Sequence, residues 1–245
     1  MHFGQISAWQ APRFTSLERR LGYAEPVNNT SWARPTLASA RTLWAAVTLV
    51  AIIVTYAETA SRGPVNPFNF FGYFTIQSNT ILTIVAAIAG IAGFMRSGPQ
   101  ARWIVALRSL ATVCMVIVGV VYATLLAPLG LEGGAPVPWA NWVMHYGGPI
   151  LVAIDWVFAR DREPLPWRIA LLQLIYPIAW VVVVLVRGAT DGWVPYPFLN
   201  PKQGYGTVGF YVALIAVTFT LVSLLVVWWS RRRFTPDRRT GPRQA

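Results

Sequence analysis

The chain has 245 residues, of which 55% are hydrophobic and only 12% are charged. A soluble globular domain has about 25% charged residues, so this composition leaves too few charges to cover a water-facing surface and excludes a soluble fold. The formal net charge of +11 does not indicate a nucleic-acid-binding protein, because the basic residues cluster at the ends of apolar segments instead of along one stripe. We therefore expect a membrane protein whose partners are lipids and not nucleic acid.

Six apolar segments approach the length of about 20 residues that a helix needs to cross a bilayer. They are residues 37–57, 68–94, 103–127, 139–159, 167–186 and 208–229. Long continuous runs favour helices over barrel strands, which are shorter and alternate in polarity. The sequence thus predicts an all-α membrane fold with six transmembrane helices within residues 37–229.

The basic residues predict the orientation of these helices. Seventeen of the 20 Lys and Arg residues fall on the side that holds both termini, and three fall on the other side. Because cytoplasmic loops carry the excess of Lys and Arg, we expect a plasma-membrane protein with a cytoplasmic segment at 1–36 and a basic cytoplasmic tail at 230–245. The tail is either an anchor near anionic lipid or a simple topology signal.

The second predicted span carries polar residues near its outer end. Thr75, Ser78 and Asn79 are spaced i, i+3 and i+4, so they share one helix face, and Gly72 on the same stripe leaves room for a close neighbour. Such residues join helices by hydrogen bonds, or they form a functional site, because polar groups in a membrane are costly.

The fourth predicted span carries His145, with Asn141 on the same face four residues earlier. Pro149 cannot donate a hydrogen bond to the carbonyl of His145, which predicts a helix kink beside the imidazole. The histidine is either structural or functional, and its position beside a Gly-Gly-Pro break favours function.

Thr75 and His145 are predicted at similar depths. Each lies six or seven residues inside the outer end of its span, which corresponds to about 10 Å. A hydroxyl beside an imidazole is the smallest combination of a nucleophile and a general base. One histidine and one cysteine within the spans cannot form a metal site, and no Gly-rich phosphate loop is present, so we expect neither a metal nor a cofactor.

Two further features concern charged residues. The long outer loop after the fifth span begins with Arg187 and Asp191, which either pair with each other or place the guanidinium against a ligand carboxylate. Tyr196 and Phe198 in this loop are expected at the membrane interface. Asp155 lies too far inward to act with His145, and we expect it to pair with a cytoplasmic arginine.

Three strings, NFFGYFTIQSN, NWVMHYGGPILVAIDW and RGATDGWVPYPFLNP, resemble the bacterial members of the androgen-induced and androgen-dependent family of six-helix membrane proteins. The resemblance covers about residues 40–230. Eukaryotic members are threonine hydrolases that cleave fatty acid esters of hydroxy fatty acids, with a threonine nucleophile in the second span and a histidine base in the fourth. The resemblance implies these roles for Thr75 and His145, although the residues around Thr75 differ from those of the eukaryotic members.

Three functions follow as hypotheses. The first is an intramembrane hydrolase of a lipid ester, in which Thr75 attacks the carbonyl, His145 carries the proton, and Ser78, Asn79 or Asn141 stabilises the oxyanion. The second is a transporter of a small or lipid-like solute. The third is a non-catalytic lipid-binding or scaffold protein. The oligomeric state is left open.

Overall fold

The computed structural model describes residues 33–95 and 98–232. All regular secondary structure in these residues is helical, which confirms the predicted all-α fold. The helices are α1 (Ala33–Ser61), α2 (Pro67–Phe70), α3 (Phe74–Met95), α4 (Arg102–Val121), α5 (Pro138–Trp142), α6 (Gly148–Phe158), α7 (Arg168–Leu172), α8 (Ile175–Thr190) and α9 (Tyr205–Arg232).

Five helical segments are long and apolar enough to cross a membrane. They are Arg34–Ser61, Phe74–Met95, Arg102–Gly130, Arg168–Thr190 and Tyr205–Arg232. The remaining predicted span, 139–159, coincides with helix α5, a π-helical turn at Val143–Gly147 and helix α6, so the chain is helical from 138 to 158. This stretch is roughly 30 Å long, the thickness of a hydrocarbon core, but its polar residues make it less apolar than the other five. Five of the six predicted spans are thus helices long and apolar enough to cross a membrane.

The second span begins later than predicted, at Phe74 instead of residue 68. Asn66 starts the separate turn α2 by accepting a hydrogen bond from the Phe68 N–H. The chain then turns at residues 71–73, where the carbonyls of Phe71 and Gly72 accept hydrogen bonds from Gln77 and Trp180 respectively. These side chains allow the helix to break here, because backbone groups that leave a helix need other partners.

Successive long helices run in opposite directions, so the bundle has two ends. The basic end contains the start of α1 and the segments near residues 98–102 and 159–168. There the Gln100 N–H donates to the Asp161 carbonyl at 2.7 Å, and the Leu165 N–H donates to Ser230 Oγ at 3.1 Å. The loop end contains residues 62–73, 127–137 and 191–204. Most of the two predicted cytoplasmic segments, at 1–32 and 233–245, lies outside the described residues.

Helix α4 is central, because it packs against α3, α6 and α9. Helices α1 and α3 pack closely through small residues. A Cβ atom built at Gly90 would lie 3.0 Å from the Ala38 carbonyl oxygen of α1.

Candidate functional site

A cavity of about 150 Å³ lies beside Thr75 at the loop end of the bundle. Its walls come from the first turn of α3, from α4, α8 and α9, and from the loop between α8 and α9. Ile117, Val118 and Phe219 are among its many apolar lining residues. The hydroxyl groups that line it belong to Thr75, Tyr196 and Thr220, and Thr220 already donates to the Ala216 carbonyl. The free polar chemistry of the cavity is therefore concentrated at Thr75 and Tyr196.

Thr75 is held by Tyr196 from the loop. The Thr75 N–H donates to the Tyr196 hydroxyl oxygen at 3.2 Å, and the Thr75 Oγ1 lies 3.4 Å from the same oxygen. Thr75 is the second residue of α3, where backbone N–H groups have no acceptor inside the helix. Tyr196 thus caps α3. Because α3 starts at Phe74, Thr75 lies in the first turn and not seven residues inside the helix, as the sequence predicted.

Tyr196 is enclosed by aromatic rings. It stacks on Phe198 with centroids 5.4 Å apart and meets the edge of Tyr73 at 5.7 Å. Burial raises the pKa of Tyr196 to about 12, although its hydrogen bonds with Thr75 act in the opposite direction. The hydroxyl therefore stays protonated at neutral pH. Tyr196 and Phe198 are each only 8% exposed, so they pack into the protein interior. Sequence reasoning did not connect Tyr196 with Thr75, because an irregular loop has no periodicity that marks its buried residues.

His145 lies in the π-helical turn next to Pro149. The Asn141 carbonyl oxygen lies 3.1 Å from His145 Nδ1, and the ring stacks on Tyr122 at 4.0 Å. A carbonyl oxygen only accepts, so this contact assigns the proton of the neutral ring to Nδ1 and leaves Nε2 as an acceptor. Within residues 33–95 and 98–232, Nε2 has no hydrogen-bond partner. The predicted irregularity at the Gly-Gly-Pro sequence is thus a π-helical turn.

Asn79 connects the turn of Thr75 with the turn of His145. Its Nδ2 donates to the Thr75 carbonyl at 2.9 Å and to the Met144 carbonyl at 3.3 Å. Its Oδ1 is buried and has no partner among the described residues. This amide therefore joins the turn that carries Thr75 to the turn that carries His145. No hydrogen bond joins Thr75 to His145 in the described part of the chain, however, and the Thr75 hydroxyl contacts Tyr196 instead.

The other predicted oxyanion donors have different surroundings. The side-chain amide of Asn141 donates to the Tyr122 hydroxyl at 2.7 Å and accepts from the Ala135 N–H at 2.9 Å. Both ends of this amide therefore already make hydrogen bonds within the protein. Ser78 is fully buried on the same face as Thr75 and Asn79, as predicted. Its hydroxyl has no hydrogen-bond partner of good geometry among the described residues.

Arg187 and Asp191 lie apart from Thr75. Arg187 donates to Asp191 at 2.8 Å and to Asn69 at 2.7 Å, and its guanidinium lies over the Trp193 ring at 4.2 Å. The Trp193 N–H and then Arg187 hold the pKa of Asp191 below its usual value. Both charged residues line a separate open cavity of about 680 Å³, with Trp180 common to the two cavities. Of the two predicted interpretations, the structure shows the internal ion pair.

A second polar cluster lies at the basic end, where four charged side chains pair across α1, α4 and the end of α6. Arg41 donates to Asp155 and Asp161, and Arg108 donates to the same two carboxylates. Arg108 also donates to Gln100 at 2.9 Å. Burial alone would raise the pKa of Asp161, but the two guanidinium groups hold it well below its usual range. The predicted pairing of Asp155 with an arginine is confirmed. The four-residue cluster was missed because its members come from distant segments.

The described residues contain no group of three or more His, Cys, Asp or Glu side chains that could hold a metal ion. The polar side chains of the turns that carry Thr75 and His145 supply hydroxyls, amides and one imidazole. Comparison with known proteins adds no assignment, since no protein-family model, no curated protein and no solved structure matches this chain.

Proposed function

We propose that this protein crosses the membrane six times, with both termini in the cytoplasm. The alternation of the chain between the basic end and the loop end supports a crossing by residues 138–158. The concentration of Lys and Arg at the basic end supports its cytoplasmic placement. A cysteine introduced at Lys202 should react with a membrane-impermeant maleimide on intact cells, and one at Arg160 should react only after permeabilisation. The opposite pattern would reverse the topology.

The function that the geometry supports best is the binding of a lipid-like ligand in the cavity beside Thr75. The observation that carries this proposal is an apolar cavity whose free hydroxyls, those of Thr75 and Tyr196, lie together at one end. Ligand sites commonly combine apolar walls with a few polar groups that fix orientation. An acyl chain would lie against Val118 and Phe219, and its carbonyl or carboxyl group would accept a hydrogen bond from Tyr196.

Hydrolysis of an ester of this ligand is the second candidate, favoured by the Asn79 link and by the acceptor Nε2 of His145. In this reaction Thr75 Oγ1 attacks the ester carbonyl and its proton passes to His145 Nε2. The alkoxide of the leaving alcohol takes that proton when the ester C–O bond breaks, and water then cleaves the threonyl ester by the same route. The sequence resemblance supports the same two roles.

Catalysis requires one rearrangement, because the Thr75 hydroxyl now contacts Tyr196 and not His145. A ligand carbonyl that takes the Tyr196 hydrogen bond would release Thr75 Oγ1. Catalytic hydrogen bonds are often long without substrate and shorten only in the reacting complex. Transport is less favoured, because the four charged side chains of the buried cluster at the basic end form ion pairs with one another.

One experiment separates these candidates. Binding of a long-chain fatty acid and hydrolysis of a panel of long-chain esters are measured on the detergent-purified protein and on Thr75→Ala, His145→Ala and the exposed control Thr124→Ala. A hydrolase should lose activity by about a hundredfold or more in the first two variants and keep it in the third. Binding that responds to Thr75→Ala without hydrolysis of any ester would support the lipid-binding function alone. If the folded protein neither binds the fatty acid nor hydrolyses any of the esters, both candidate functions are refuted.

A further inference from the structure

A third cavity lies in the basic half of the bundle, away from Thr75 and His145. It has a volume of about 370 Å³ and lies between α1, α3, α4 and α6. Its inner wall includes Leu82, Ala86 and Ala111, which are buried. Leu43 and Phe158 at its rim are 67% and 65% exposed, and in a bilayer these side chains face the lipid chains. A lipid can therefore enter this cavity sideways from the membrane.

The polar end of this cavity holds a hydrogen-bond donor of Arg108 that has no acceptor in the part of the chain that the structure describes. Arg108 lines the cavity and is only 4% exposed. Its Nη1 donates to Gln100 and Asp161, and its Nη2 donates to Asp155. These bonds fix the guanidinium through Nη1 and Nη2, and its Nε–H meets no acceptor among the described residues. A ligand acceptor beside this Nε–H would therefore gain a hydrogen bond to a charged group, which is stronger than a bond between neutral groups.

An acceptor lies next to this donor. Asp155 also lines the cavity and is 22% exposed. Its Oδ1 accepts two hydrogen bonds from Arg41, whereas its Oδ2 accepts only one, from Arg108. A carboxylate has about four acceptor positions, so Oδ2 can accept another hydrogen bond.

The charges at this end select against an ionic ligand. Two guanidinium groups face two carboxylates, so the cluster is neutral as a whole. A ligand carboxylate or phosphate that reached Arg108 would also lie beside Asp155, and an ammonium group that reached Asp155 would lie beside Arg108. A hydroxyl group fits both, because it accepts one hydrogen bond and donates another.

We propose that this cavity binds a neutral lipid with a free hydroxyl group. The hydroxyl oxygen accepts the Arg108 Nε–H bond and its proton is donated to Asp155 Oδ2, while the alkyl chain lies against Leu82, Ala86 and Ala111. A long-chain alcohol and a monoacylglycerol present this same chemistry. The site is independent of the ligand and chemistry proposed at Thr75.

The test uses hexadecanol with a photoreactive diazirine in its chain, added to the full-length protein in nanodiscs and followed by peptide mapping. We expect labelling of residues 82–89, 108–112 and 151–159. Unlabelled hexadecanol or monopalmitoylglycerol should compete at concentrations on the order of tenfold lower than hexadecane, as expected for hydrogen bonds to charged groups. The more potent of the two identifies the source of the hydroxyl. Equal competition by hexadecane, or stronger competition by palmitic acid, would overturn the proposal.

Cavity-filling variants provide the second arm, because changes at Arg108 could unfold the protein. Ala111→Leu and Ala86→Leu place extra methyl groups in this cavity, whereas the matched control Ala216→Leu fills the cavity beside Thr75. The first two should reduce labelling about tenfold or more in protein that still elutes as a folded species, and the control should not reduce it. Undiminished labelling in whichever filling variant is folded, or equal loss in the control, would refute the site.

Discussion

Replacement of Asp155 with asparagine should strongly destabilise the protein. Asp155 accepts hydrogen bonds from Arg41 Nε at 3.0 Å, Arg41 Nη2 at 2.8 Å and Arg108 Nη2 at 2.7 Å. The two arginines are only 7% and 4% exposed, so Asp155→Asn leaves two buried cations with one carboxylate, Asp161. Removal of one partner from a buried ion pair costs about 3–5 kcal/mol. At about 2–4 °C per kcal/mol for a chain of this size, we expect Tm to fall by about 6–20 °C.

The assay is thermal unfolding of the detergent-purified protein, followed by the fraction that remains monodisperse after heating. Glu58→Gln is the matched control, because it makes the same carboxylate-to-amide change in an exposed pair with Arg62, whose side chains are 39% and 63% exposed. Such a surface pair contributes about 0–1 kcal/mol, so its Tm should fall by no more than about 4 °C. If Asp155→Asn lowers Tm no more than Glu58→Gln does, the buried cluster does not stabilise the fold as argued.

Three further predictions concern the ligand cavity, pH and helix packing. Tyr196→Phe removes the hydroxyl that faces the cavity and should weaken fatty-acid binding about two- to tenfold. The control Tyr205→Phe, at a 65% exposed position, should leave fatty-acid binding unchanged. Equal losses of binding in the two variants would contradict the proposed site. The pKa of Asp161 is depressed below its ordinary 3.8 in the folded protein, so its contribution to stability is present above about pH 4 and is lost as the pH falls through the folded pKa. Tm measured against pH should fall on acidification, less so in Asp161→Asn, and identical profiles would refute the assignment. Gly90→Ala should lower Tm because its Cβ would press on the Ala38 carbonyl. The control Gly209→Ala has open space around its Cβ and should raise the free energy of unfolding by about 0.5–1 kcal/mol. A matching rise for Gly90→Ala would contradict the packing of α1 against α3.

Much of the candidate site could be predicted from helical periodicity. The spacing of Thr75, Ser78 and Asn79 placed them on one face, and all three are buried together. The Gly-Gly-Pro sequence after His145 predicted an irregular turn, which the structure places at Val143–Gly147. Periodicity succeeds here because the geometry of a single helix determines which of its residues share a face.

The start of α3 was misplaced because its cause is not local. The apolar run continues from residue 68, so hydropathy alone predicts one uninterrupted helix. The break depends on Gln77 and on Trp180 of α8, which bind the carbonyls freed at Phe71 and Gly72. The depth predicted for Thr75 was wrong for the same reason.

The sequence by itself determined that this is an all-helical protein with helices long and apolar enough to cross a membrane. It also determined where the basic residues concentrate and which polar residues face inward. Composition and periodicity are properties of segments, and a segment carries them wherever it packs. Only the tertiary structure decided that Tyr196 contacts Thr75, that Asn79 joins the turns of Thr75 and His145, and that Arg41, Arg108, Asp155 and Asp161 form one cluster. These contacts join segments separated by up to 121 residues, and they depend on which helices are neighbours and on the path of an aperiodic loop.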